Sequence, residues 1–393
     1  MKIRTVTLCA DLGDEGNRKL AGDFSRDALD SMPCEVETVR VSTVPLNPFS
    51  STGPEIVEKA VELDGWALDS GIDYVGGFGL GSYPCAGDLG FIDHVPEIIA
   101  STERIFSHCQ LAWGKKVSVD AVKRTAAAVS ELSSIDGGFA NLRFAGLYNC
   151  ASDNPFYPAS YCGDERCFTV GISAADLALQ AFSGASTLLE ARENLIGIIR
   201  DRYCELLSAC IGLEQVHNVF FKGIDFTLAP SAAVEGSIAN ALEQLGGFQF
   251  GQSATLFFSA MLSDTLKSLG GGVGFNGLMY PVLEDPVIAR RASEGALSVE
   301  SLLMYSAVCG TGLDCIPLPG DVGEQTLGAL MLDVAGLSIR LGKPLITRLM
   351  PVPGKKAGDM TEFDFPYFVN TRVMEAKKGS VDAIRDSEFT FLV

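Results

Sequence analysis

The chain is poor in histidine and in positive charge. Its 393 residues include only three histidines, His94, His108 and His217. That argues against a histidine-based metal centre, and each reads as a packed or solvated side chain. Lys and Arg total 30 against 49 Asp and Glu, a formal net charge of −19. Nucleic acid and anionic membrane surfaces both need clustered Lys and Arg to displace counterions, and no basic stripe is present, so neither partner is expected. No run approaches the ~18 consecutive apolar residues of a membrane helix, and the opening "MKIRTVTLCADLGDEG" lacks the apolar core of a secretory signal. A soluble, cytoplasmic protein is expected.

Paired cysteine motifs are also missing. There are eleven cysteines but no C-x-x-C; the nearest pairs are Cys162/Cys167, Cys204/Cys210 and Cys309/Cys315. None has zinc-ribbon spacing, so no metal is assigned and the thiols read as reduced and buried. Nothing in the sequence names a cofactor.

What is present is apolar surface: 47% of residues are apolar and 20% charged. This is a globular composition with a large core. The length fits one large α/β barrel or two ordinary domains. No proline-rich or charged linker divides the chain, so residues 1–393 are read as a single domain. Homo-oligomerisation is compatible with so apolar a chain.

Short β-rich runs alternate with longer helical patterns, which points to parallel strands joined by crossover helices. Strands are expected at 3–9, 36–44, 73–77, 105–111, 142–149, 167–172, 219–228, 313–318 and 345–350. Helical stretches fall at 16–31, 54–70, 120–132, 174–213, 233–245, 255–269, 285–292, 299–307 and 323–341. The segment "GIDFTLAP" at 223–230 reappears as "GLDCIPLP" at 312–319, with a weaker echo, "GIDYVGGF", from Gly71. This repeat suggests pseudo-halves, 1–173 and 219–350. The expected fold is a pseudo-repeated parallel barrel of about ten strands with outer helices.

In the repeated motif, Gly supplies a left-handed cap and Asp stands at the strand entrance, where water still reaches it. Asp73 fits that structural role, and barrel chemistry gathers at the opposite strand ends. Asp225 and Asp314 are nevertheless carried as catalytic candidates, with the loops after Pro230 and Pro319. Cys309, in "SAVCGTGLD", is a candidate nucleophile, although a helix C-terminus raises a thiol pKa and no histidine is near in sequence. "GGFGLGSYP" follows a strand, so its amides could hold an anion. "GGGVGFNG" contains G-x-G-x-x-G at Gly272, Gly274 and Gly277 but follows a helical pattern, so it reads as a packed loop. Glu284/Asp285 and Asp359/Glu362 are carboxylate pairs; Asp285, before Pro286, reads as a helix N-cap. The loop bearing Lys355, Lys356, Asp359 and Glu362 could fold over a pocket.

The segments "VRVSTVPL", "DNPF" at 153–156, "VGIS" at 170–173, "DFTLAPSAAVEGSIANALEQLG", "AVCGTGLDCIPLPGD" and "GDMTEF" resemble, in order, those of domain-of-unknown-function family 711, also called uncharacterised protein family 0210. The resemblance implies a barrel like that of pyruvate formate-lyase and other glycyl radical enzymes, two parallel half-sheets around a central core. It does not imply radical chemistry, because "NTRVMEAKKG" lacks the R-V-x-G-Y pattern of a radical glycine.

The leading expectation is an enzyme that binds a small polar molecule and acts by non-radical acid/base chemistry, a lyase or isomerase in the broad sense. Its catalytic candidates are Asp225, Asp314, Cys309, Asp359 and Glu362. Its substrate-binding candidates are Arg40, Ser42, Gly76, Gly77, Asp153, Asn154, Ser173 and Ser231. Two alternatives stand beside it: a metabolite-binding or regulatory protein without turnover, and a thiol enzyme dependent on Cys309.

Overall fold

Runs rich in β-branched and aromatic residues form strands because such side chains pack well on a pleated, buried surface. The computed structural model describes residues 1–45, 53–81, 83, 89–270 and 272–392. Its strands are β1 (Lys2–Cys9), β2 (Val39–Ser42), β3 (Tyr74–Gly76), β4 (Ser107–Trp113), β5 (Lys116–Ser118), β6 (Phe144–Tyr148), β7 (Cys167–Ser173), β8 (Phe220–Ala229), β9 (Gly312–Pro319), β10 (Leu345–Val352) and β11 (Glu388–Thr390). Every expected run is among them, with ends moved by a few residues. β5 and β11 were not expected: each has three residues, too few for a pattern, and they exist because β5 pairs with β4 and β11 pairs with β5.

The helical stretches are likewise helices. The long stretch 174–213 is broken into Ala175–Phe182 and Leu188–His217, the second restarted by Thr187, whose hydroxyl accepts the Glu190 amide at 3.1 Å. No helix among the described residues is long and apolar enough to cross a membrane.

Two mixed sheets result, with orders β3-β2-β1-β7-β8 and β11-β5-β4-β6-β10-β9. The all-parallel expectation is corrected here: β1 pairs antiparallel with β7, and β6 antiparallel with β10. Parallel neighbours need a crossover, usually helical, and no helix lies between β6 and β7, where the chain direction reverses. Alternation along a strand reports its buried face and carries no information on its direction. Isolated parallel bridges run from the two edges of the first sheet: Val75 with Ile105 and Leu80 with Cys109 of β4 on the β3 side, Leu228 of β8 with Leu278 on the other. From Leu278 the chain continues to β9, with Gly310 N–H donating to the Leu278 carbonyl at 2.7 Å and Val282 N–H to that of Asp314 at 3.2 Å.

The helices cover the outer faces. Phe24, from the helix Glu15–Ser31, packs on Phe168 of β7 with ring centroids 5.1 Å apart, and Phe168 packs on Phe221 of β8. Each fully buried ring of this kind contributes about 1.5–3 kcal/mol. His108 is a packed histidine: its Nδ1 lies 2.9 Å from the Pro158 carbonyl, and burial lowers its pKa to about 4.

The twin aspartates do not stand at wet strand entrances. Asp225 lies in the middle of β8 with no exposure, and Asp314 in β9 is 3% exposed. Strand β8 starts before the motif, which carries Asp225 into the interior.

Candidate active site

Three strands each carry one arginine inside an otherwise apolar or β-branched run: Arg4 in β1, Arg40 in β2 and Arg348 in β10. All three point into one cavity between the sheets. The same wall holds Glu37, Glu284, Asp314, Tyr74 and Tyr157, with Phe106, Phe156, Met279 and Ile346 among its apolar members. It leaves about 80 Å³ for the centres of water-sized molecules.

Two of the arginines are tied to acids. Arg348 Nε donates to Asp314 at 2.6 Å and its Nη2 to Glu284 at 2.9 Å. Arg4 Nη2 donates to the other Glu284 oxygen at 2.6 Å, and its Nη1 is 3.8 Å from Glu37. Glu37 also accepts from Ser173 at 3.3 Å, and Arg4 Nη1 donates to the Pro230 carbonyl at 3.3 Å. The Cys315 thiol donates to Glu284 at 3.2 Å. Adjacent strand residues normally face opposite ways; a register shift in the β9/β10 ladder and a left-handed Cys315 (φ 48) let both Asp314 and Cys315 reach this network.

Arg40 is different. It is 8% exposed, its Nε donates to Thr38 at 2.9 Å, and no described carboxylate lies within ion-pairing distance of it. Its guanidinium lies 5.0 Å from the ring centroid of Tyr157 and 5.6 Å from that of Tyr74, its cross-strand partner. Burial, with the neighbouring Arg4 charge, lowers its pKa to about 10. A buried cation with no described carboxylate within ion-pairing distance is complementary to an anion.

The two central acids are pushed apart. Burial, reinforced by Glu284, raises the pKa of Asp314 against the pull of Arg348. Burial also opposes ionisation of Glu284, but Arg348 and Arg4 together outweigh it and hold its pKa low.

Of the residues expected from the sequence, Arg40 and Asp314 line this cavity, and Ser173 touches it through Glu37. Ser42, Gly76 and Gly77 lie behind it. Ser42 bonds the Tyr157 hydroxyl at 3.1 Å and Ser160 at 2.6 Å, and Gly76 leaves room for the Tyr157 ring, which a Cβ there would meet at 2.7 Å. In "GGFGLGSYP", Gly77, Gly79 and Gly81 pack closely against Thr43, His108 and Tyr161; Ser82 and Pro84 lie outside the described residues.

The others are elsewhere. Asp225 accepts from the amides of Thr227, Phe275 and Asn276 at 2.8, 2.6 and 3.0 Å, and from the Thr227 hydroxyl at 2.6 Å. It therefore fastens the "GGGVGFNG" loop, whose Gly274 (φ +78) passes so close that a Cβ would meet the carboxylate at 2.2 Å. Cys309 is 2% exposed and does not line the cavity. Asn154 caps the Phe156 amide at 2.9 Å, and Ser231 bonds Gly236 through its own amide. Asp153 bonds Ser152, Gly163 and Lys222. Asp359 and Glu362 are exposed; Asp359 accepts the Lys356 amide and Glu362 pairs with Lys355. Their loop does reach the cavity, through Phe365 and Tyr367. Asp285 is an N-cap as expected, and for two helices: its Oδ1 accepts Val287 and Ile288 amides, and its Oδ2 those of Ile238 and Ala239.

Arg4, Glu37, Glu284, Arg348, Tyr74 and Tyr157 were not anticipated as site residues. A signal existed for two of them: a lone arginine amid buried strand residues must meet an acid or line a cavity.

Fold and site together define a mixed α/β protein with a buried, arginine-rich cavity between its sheets. The chain matches the family model "Uncharacterised ACR (DUF711)" over residues 1–370 and belongs to that family. It is 31% identical over 405 residues to a UPF0210 protein of Acetivibrio thermocellus, covering 92% of this chain and 88% of the relative. A UPF0210 protein of Syntrophobacter fumaroxidans is 32% identical over 357 residues (84% and 77%), and one of Pyrobaculum islandicum is 33% identical over 353 residues (83% and 75%).

Proposed function

We propose that the cavity binds a small anionic metabolite in the cytoplasm and acts on it by non-radical acid/base chemistry, as a lyase or isomerase in the broad sense. Arg40 holds the carboxylate or phosphate of the ligand, with Tyr74 and Tyr157 flanking it. Asp314 exchanges the proton, and Glu284 stays ionised between Arg4 and Arg348. A pair of carboxylates whose pKa values are driven apart is the usual way one site separates these two duties. We further infer that the two sheets wrap the cavity as a barrel closed by the edge bridges, with the halves meeting at β1/β7 and β6/β10.

The observation that carries the reading is the buried Arg40 guanidinium without a carboxylate partner among the described residues. The test is thermal melting of the full chain and of Arg40→Gln in inorganic phosphate and in small dicarboxylates. Anions are expected to raise the melting temperature of the native protein and to leave the variant unmoved. Equal responses in both proteins, or none in either, would overturn the reading.

Binding without turnover is the second reading, favoured by the engagement of both Glu284 and Asp314 with Arg348. Exchange of substrate C–H hydrogens with deuterated solvent separates the two.

A further inference from the structure

Three cysteines that are distant or irregularly spaced in the sequence meet one aspartate where β1 ends and β7 begins. Cys9 and Cys167 are directly opposed in the antiparallel β1/β7 ladder. Cys162 joins them in one buried cluster. The sulfurs of Cys9 and Cys167 and a carboxylate oxygen of Asp153 all lie within 4.8 Å of one another. None of these residues is more than 4% exposed, and none lines the arginine cavity.

We propose that Cys9, Cys167 and Asp153, completed by Cys162 once its side chain turns toward them, form a closed, four-ligand site for a soft divalent ion of the zinc class. Thiolates and carboxylates are the donors such an ion takes, and four protein ligands leave no open position, which is the pattern of a structural site. Sulfurs at about 2.3 Å from a tetrahedral ion stand roughly 3.8 Å apart. The sulfurs of Cys9 and Cys167 and the Asp153 oxygen, within 4.8 Å of one another, stand near that spacing, and Cys162 lies outside this group. Asp153 retains acceptor capacity: its Oδ1 takes only the Gly163 amide, at 2.8 Å. Cys162 now donates its S–H to the Ser42 carbonyl at 2.8 Å and would turn from it to the ion.

Charge is consistent with this. Three thiolates and a carboxylate exceed the ion by two negative charges, and the Lys222 ammonium beside Asp153 offsets part of the surplus. Free thiols are protonated near neutral pH, and only their thiolates are metal ligands. Binding therefore releases protons. The site also lies behind the arginine cavity, since Ser42 contacts both Cys162 and Tyr157. A bound ion would brace the ring under Arg40.

The test is titration of the chelator-stripped, fully reduced chain with Co²⁺. One equivalent is expected to produce a thiolate-to-cobalt charge-transfer band and tetrahedral d–d absorption, with release of protons into weak buffer and reversal by Zn²⁺. Cys167→Ser should lose the charge-transfer intensity or bind at least tenfold more weakly, whereas Cys210→Ser, buried in the helix Leu188–His217, should match the native protein. Native protein that is folded by circular dichroism yet gives no band would overturn the site, as would an unchanged band in Cys167→Ser. Should that variant fail to fold, the native titration and its proton release decide alone.

Discussion

The guanidinium of Arg40 lies 5.0 Å from the ring centroid of Tyr157, and the hydroxyl of that ring is anchored to Ser42. The cation is thus held in place without being neutralised. Removing its charge should relieve the folded state, as functional sites commonly carry such a cost. Arg40→Gln is expected to melt at or above the native temperature in anion-free buffer. A drop of several degrees would instead make Arg40 a structural group.

Tyr157 separates ring from hydroxyl. Tyr157→Phe keeps the face toward Arg40 and loses one hydrogen bond, so about 1 kcal/mol of stability should go while anion affinity stays near native. Tyr157→Leu removes the ring as well, and anion affinity should change clearly. Chemical denaturation and anion titration of both variants read the two effects apart.

Arg348 bridges Asp314 and Glu284, so Arg348→Met leaves two buried acids short of a partner. A loss of about 3–5 kcal/mol is expected. The acids in that variant have raised folded pKa values, so their protonated forms are favoured and its deficit should shrink as pH falls. Urea unfolding at several pH values below neutrality checks both size and sign.

Asp225 makes a separate pH prediction. Burial raises its pKa from the ordinary carboxylate value to about 6 despite four donors. A group raised on folding stabilises most below its unfolded pKa, and that contribution is lost as pH rises through the folded value. Native stability should therefore carry a downward component between about pH 4 and about pH 6. Asp225→Asn should abolish that component and, by turning an amide toward backbone donors, cost about 1–3 kcal/mol at neutral pH.

Asp285 caps two helices and Asp14 caps one, at the surface. Asp285→Ala should cost roughly 2 kcal/mol or more, and Asp14→Ala roughly half that. Equal losses in denaturant unfolding would show that the second cap contributes nothing.

Much of the architecture was legible in the chain. The strand runs and most helices could be read because period-two and helical alternation are local properties, and Asp285 before Pro286 announced its cap. Asp314 and Arg40 were within reach as candidate site residues. Asp225 was misplaced at a wet entrance because the motif hides how far β8 extends before it. Glu284 passed as one half of an acidic pair, since nothing local distinguishes an acid beside a cap from one facing two arginines.

Local pattern therefore determined which runs form strands and which form helices, to within a few residues at their ends. Only the tertiary structure decided which groups meet there. Arg4 and Arg348 share Glu284 while Arg40 receives no acid among the described residues, and Cys9 faces Cys167, because strand order, direction and register set those pairings. Register depends on contacts between segments far apart in the chain, and no local pattern encodes them.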